Sequence, residues 1–128
     1  EINSKNEISI VLNRFYQSGL IGLSDMKYYE KKILQIVNHP NLKRYYNGDL
    51  VSFNEREIIS KKGFVLVPDR LVFLNNTDVV IIDYKTGKEN ESHKIQLKKY
   101  KSMLEEMNFK VAEKIIVYVN EKIKINKC

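Results

Sequence analysis

At 128 residues, 43% of them apolar, the chain has the size and content of one core, with no room for a second. A net charge of +6 favours acidic partners, nucleic acid first. The lone Cys128 excludes an internal disulfide and a four-cysteine metal site, and no stretch approaches the ~20 apolar residues of a membrane span.

The opening, EINSKNEIS, starts on Glu1 and carries no apolar signal core. It reads as part of a segment from a longer, cytoplasmic protein. There is no internal repeat. Ile8, Val11, Leu12, Phe15 and Tyr16 recur at helical spacing, which predicts a helix over Ser4–Ser18. Ser24 is placed to cap a second helix running to Val37, with Met26, Tyr29, Ile33, Ile36 and Val37 on one face. Asn38-His39-Pro40 stops it, and a short helical turn carries Leu42, Tyr45 and Tyr46.

After Gly48 the period changes. Leu50–Ser60 and Phe64–Leu74 read as two strands joined at Lys61-Lys62-Gly63, and Asn75–Asp78 turns into a third, Val79–Lys85. A loop, Thr86–Ser92, leads to a helix over His93–Met107 with Gln96, Tyr100, Met103 and Met107 along one side. Lys114–Val119 is a strand, and a short last strand runs through Ile125. The class is α+β: a helical lead-in over 1–47, then a sheet–helix–strand core with a mixed sheet over 48–128.

The charges stand in unexpected places. Asp83 and Lys85 end the apolar run Val79–Ile82, and Asp69 interrupts LVPDRLVF; unpaired charge is costly to bury. Strand alternation puts Asp83 and Lys85 on one face, roughly 7 Å apart, with Tyr84 on the other. Pro68 lacks an N–H, so a bulge is expected beside Asp69. Pairing about the Asn75–Asp78 turn would set Asp69 beside Asp83, and Glu55 or Glu57 on the strand before could extend the cluster. Carboxylates and an ammonium at a sheet mouth suit a hard cation such as Mg²⁺ with a substrate phosphate. The spacing is also met by an ordinary ion pair at a strand end.

Pro68-Asp69-Arg70, Ile82–Lys88 and the Gln-x-x-x-Tyr of Gln96 and Tyr100 together resemble the PD-(D/E)xK nucleases. They are most similar to the RecB-like and AddA-like domains of double-strand-break helicase–nucleases. The resemblance covers roughly Ser52 to Val119. It implies a restriction-endonuclease-like core and a Mg²⁺- or Mn²⁺-dependent DNA nuclease, exonucleolytic and joined to a helicase domain of the same parent chain. Asp69, Asp83 and the carbonyl of Tyr84 would hold the metal, and Lys85 would be the catalytic partner. Glu55 matches an acidic position on the first strand, with Glu57 as its fallback. Gln96, Tyr100 and Lys88 would meet DNA. Family members also carry a metal-binding His on a helix before the sheet. No His of this chain matches it: His39 sits at a helix stop. The resemblance therefore leaves two readings, a His upstream or a site that binds DNA without cutting it. Lys88, Lys94, Lys98, Lys99 and Lys101 make the helix basic, as a phosphate track or a solvated face. His93 reads as a phosphate contact or a solvated first-turn residue. Tyr28, Tyr29, Tyr45 and Tyr46 read as packing residues.

Overall fold

A computed structural model of the chain describes Leu12, Asn13 and residues 26–128. The helix expected over Ser4–Ser18 lies outside the described residues except for Leu12 and Asn13, which are helical, and so does the expected cap Ser24. The chain divides into two compact units, Glu1–Asp49 and Leu50–Cys128.

In the first unit, helix α1 spans Met26–Val37 and buries Ile33, Ile36 and Val37 at helical spacing. It stops where expected: the Asn38 side-chain amide donates to the Leu34 carbonyl (3.0 Å), and His39 Nδ1 accepts from the Asn41 amide (3.1 Å). A 3₁₀ turn, Lys43–Tyr46, buries Tyr45 and Tyr46.

The second unit is α+β. Strands β1 (Val51–Asn54), β4 (Arg70–Phe73), β5 (Asp78–Lys85), β6 (Lys110–Val119) and β7 (Ile123–Lys127) form a five-stranded sheet in the order β1-β4-β5-β6-β7. Strands β2 (Ile58–Ile59) and β3 (Val65–Leu66) form a separate two-stranded hairpin. Helix α2 (Glu91–Glu106) connects β5 to β6. Those two strands run parallel and all other pairs are antiparallel, so the sheet is mixed. A parallel pair needs a crossover of this kind, and a helix supplies it while covering one face.

Two expected strands are each split. Leu50–Ser60 breaks at Glu55, whose φ of 53° is left-handed, so β1 stays in the main sheet and β2 leaves it. Phe64–Leu74 breaks at Val67-Pro68-Asp69, and β3 pairs with β2 rather than with the sheet. Pro68 does more than bulge the strand: with no N–H to give, it ends one strand and lets β4 begin at Arg70. Gly63 turns the small hairpin at φ 87°, with its amide on the Ser60 carbonyl at 3.0 Å. The Asn75 side chain holds the β4–β5 turn by accepting from the Thr77 and Asp78 amides.

The residues of β5 alternate cleanly. Val79 and Ile81 join Leu71, Ile116 and Tyr118 in a core closed by Leu97, Tyr100, Met103 and Leu104 of α2. Val80, Ile82, Tyr84, Ile115 and Val117 are also fully or nearly buried on the opposite face. A strand buried on both faces reads as a continuous apolar run, as Val79–Ile82 does. Among the described residues, no helix is long and apolar enough to cross a membrane.

Candidate active site

The β4–β5 register pairs Phe73 with Val79 and Arg70 with Ile82. One step further sets Asp69 directly opposite Asp83, at the edge of the face that α2 covers. Both acids are buried. Each fixes the other's backbone: the Asp69 amide donates to Asp83 Oδ1 at 2.8 Å, and the Tyr84 amide donates to Asp69 Oδ2 at 2.9 Å. The sheet ladder thus hands over to side chains where the strands separate, and each carboxylate is held by a backbone amide of the other strand.

Lys85 shares their face, as alternation requires. Its Nζ lies 3.6 Å from Asp83 Oδ2 and donates to Gln96 Oε1 at 2.6 Å. Tyr84 is buried on the other face. Burial, and after it the Asp69 charge, push the Asp83 carboxyl up to about 7, against the opposing pull of the Asp69 amide and Lys85. Two buried acids side by side hold a proton near neutrality unless a cation replaces it.

The loop after Lys85 is tied to the sheet. Gly87 turns at φ 81°. Its amide donates to Asn120 Oδ1 (2.8 Å), and Asn120 Nδ2 donates back to the Gly87 carbonyl (2.9 Å). Asn90 then caps α2 by accepting from the Ser92 amide at 2.9 Å. This clasp and cap set the register of Gln96 over Lys85.

Tyr100 stands in the core, 3% exposed, and its hydroxyl donates to the Val67 carbonyl at 3.3 Å. The expected DNA contact would have to reach it through this bonded, buried position. What it does is pin the Val67–Asp69 segment that carries the first acid. Gln96, one helical turn earlier, is occupied with Lys85. Lys88 is exposed in the loop, as a DNA contact requires.

Glu55 is not gathered with the acid pair. Its amide donates to the Asp69 carbonyl at 3.1 Å, so the backbone reaches the site. The left-handed φ breaks strand alternation, however, and the side chain is exposed. Glu57 is exposed too. Among the described residues no three His, Cys, Asp or Glu side chains come close enough to share a metal ion.

The sequence reading passed over one pair. His93 is half-buried, and its Nδ1 shares a 2.9 Å hydrogen bond with the Tyr118 hydroxyl. Burial, and after it the Lys85 charge, lower its pKa, so a neutral imidazole stands beside the Lys85 ammonium. The signal was available in principle. His93 lies one turn before Gln96 on α2, and Tyr118 is level with Lys85 across the parallel β5–β6 pair.

No family model matches the chain, and no curated protein matches it. Among solved structures, the crystal structure of SSO0001 is similar over 92% of this chain at 21% identity, with a TM-score of 0.42. The chain spans 61% of the length of that structure.

Proposed function

We propose that this chain is a metal-dependent DNA nuclease module, exonucleolytic and part of a helicase–nuclease. The observation that carries the reading is the acid pair Asp69–Asp83, clamped opposite each other across β4 and β5 with the Lys85 ammonium 3.6 Å from Asp83.

The donor chemistry fits a hard cation. The pair offers carboxylate oxygens alone, and Mg²⁺ or Mn²⁺ takes few protein ligands, completing its shell with water and substrate phosphate. Burial, and after it the Asp69 charge, hold a proton on Asp83 near neutrality, and a divalent ion bound between the two acids would offset both. Asp69 and Asp83 would hold the ion, with the Tyr84 carbonyl as a third donor. When bound, such an ion supplies Lewis acidity at a phosphoryl oxygen and a water of lowered pKa.

The remaining roles belong to the chain. Gln96 aims the Lys85 ammonium, which can neutralise charge that grows on the phosphoryl oxygens. The amides of Asp69 and Tyr84 keep both carboxylates from rotating away. His93, neutral, adds no second positive charge beside Lys85. Lys88 at the loop tip meets the phosphate backbone.

Glu55, exposed and not grouped with the acid pair, favours a second reading: a module that binds DNA without cutting it. Mn²⁺ calorimetry and a nuclease assay on labelled DNA separate the two. The nuclease reading expects Mn²⁺ binding and metal-dependent cleavage, both lost in Asp83→Asn. Metal binding that survives Asp83→Asn would remove the site from this pair of strands.

A further inference from the structure

Outside the acid pair, a cleft of the second unit lies between the β2–β3 hairpin and helix α2, with a volume of about 760 Å³. Its lining is largely apolar, with Phe64 and Ile95 prominent, and it also carries Lys61, Lys62, Lys98 and Lys99. Phe64 is 67% exposed, and Ile95 is also exposed. Large apolar side chains left open to water in one place mark a binding surface. Among the described residues, none of the four lysines is paired with an acid. Glu106 is the acid on the lining.

The combination narrows the ligand. Four ammonium groups around one carboxylate call for a polyanion. An exposed aromatic ring and an aliphatic side chain between them call for flat apolar faces spaced along that polyanion. A duplex satisfies the lysines but keeps its base faces stacked and out of reach of Phe64. A single strand offers both: phosphates for the lysines and a base face for the ring.

We propose that this groove binds single-stranded nucleic acid, with the lysines on its phosphates and Phe64 stacked on a base. The placement on α2 links the groove to the acid pair. Ile95 and Lys99 line the groove, while their neighbours Gln96 and Tyr100 hold Lys85 and the segment before Asp69. A strand lying in the groove therefore runs alongside the helix that borders the acids. That the bound strand is also the substrate rests on the nuclease reading; occupancy of the groove does not.

The test reads binding with no divalent metal present. A labelled 12-nucleotide oligo(dT) is titrated with the 128-residue chain in EDTA, and polarisation is followed over a range of salt. The chain should bind the single strand more tightly than a duplex of equal length. Phe64→Ala should weaken single-strand binding by roughly 5- to 150-fold, the loss of one stacked base. Lys98→Ala and Lys99→Ala should each flatten the slope of log K against log salt by about 0.7. All three side chains are exposed, so thermal melts should match the parent chain and exclude unfolding as the cause. Because binding is read in EDTA, with no metal at the acid pair, it separates the groove from that pair even if no cleavage is found.

Binding that ignores Phe64 and both lysines would overturn the proposal, as would equal affinity for the duplex, or no binding. A polyglutamate peptide that competes as well as the oligonucleotide would show a general acidic-polymer site instead. A dimer that forms through Phe64, seen by sedimentation, would assign the groove to a second copy of the chain. Either result ends the claim.

Discussion

The two sides of helix α2 could hardly differ more. Toward the sheet edge, Gln96 and Tyr100 hydrogen-bond to Lys85 and to the Val67 carbonyl, beside two buried acids held by backbone amides. A quarter turn around the helix, Ile95, Lys98 and Lys99 face an open cleft through exposed side chains. Bond-breaking chemistry needs atoms held to a fraction of an ångström, whereas phosphates can be followed by flexible lysines with little geometry. One helix can serve both because its buried stripe, Leu97, Tyr100, Met103 and Leu104, fixes its rotation and so fixes what each flank presents.

The strongest way to break the contrast is Asp83→Asn. The amide keeps an oxygen to accept the Asp69 N–H, so the local fold should hold. Divalent-metal binding should disappear, and any metal-dependent cleavage should fall by several orders of magnitude, while oligo(dT) affinity stays within about twofold. Gel-based cleavage and polarisation, run on the same preparation, check both halves. A parallel loss of strand binding would mean that the two flanks are one site.

Lys85→Met comes next. With the ammonium gone, cleavage should drop by about 10²- to 10³-fold, the usual effect of removing a single charge-stabilising donor, with metal binding retained. Glu55→Gln supplies the counterpart: because Glu55 is not grouped with the acid pair, it should leave cleavage within a few-fold. A loss as large as that of Asp83→Asn would show that Glu55 swings in when metal binds.

The acid pair also makes a pH prediction. The folded Asp83 carboxyl, raised from 3.8 to about 7, holds its proton over a window in which the unfolded chain has released it. The native state therefore binds more protons than the unfolded state between about pH 4 and pH 7, and stability falls as pH rises through that range. Thermal melts in EDTA should show this decline, and Asp83→Asn should flatten it. Mn²⁺ should raise the melting temperature more at pH 8 than at pH 5, because the ion competes with the proton. A melting temperature that rises from pH 4 to pH 7 in EDTA would contradict a carboxyl titrating near neutrality.

The smallest expected effect is that of Tyr100→Phe. The ring keeps its place in the core and only the 3.3 Å bond to the Val67 carbonyl is lost, which should cost about 1 kcal/mol in denaturant unfolding. If Tyr100 acts on the Asp69 segment, Mn²⁺ affinity should weaken as well. Unchanged metal affinity would reduce Tyr100 to a packing residue.

The sequence by itself determined the α+β class, the order of the main elements, and the pairing of Asp69 with Asp83 and Lys85. All of these follow from local rules: apolar period, turn residues, and the strict alternation of a strand whose middle is Val-Val-Ile-Ile. Counting back from the Asn75–Asp78 turn was enough to set the two acids opposite each other. Only the tertiary structure decided where the strands break, and with them the fate of Glu55, Tyr100, His93 and the groove. Glu55 has an ordinary strand sequence around it, and nothing local marks its left-handed backbone. Pro68 announced a disturbance but not that β3 would leave the sheet to pair with β2. Tyr100 and His93 took their roles from the way α2 is rotated on the sheet, which the clasp between Gly87 and Asn120 helps to fix across 33 residues of chain. The cleft beside Phe64 exists because two short strands stand apart from the sheet. It was illegible for the same reason: a separation between elements is a property of packing, and no residue type or spacing encodes it.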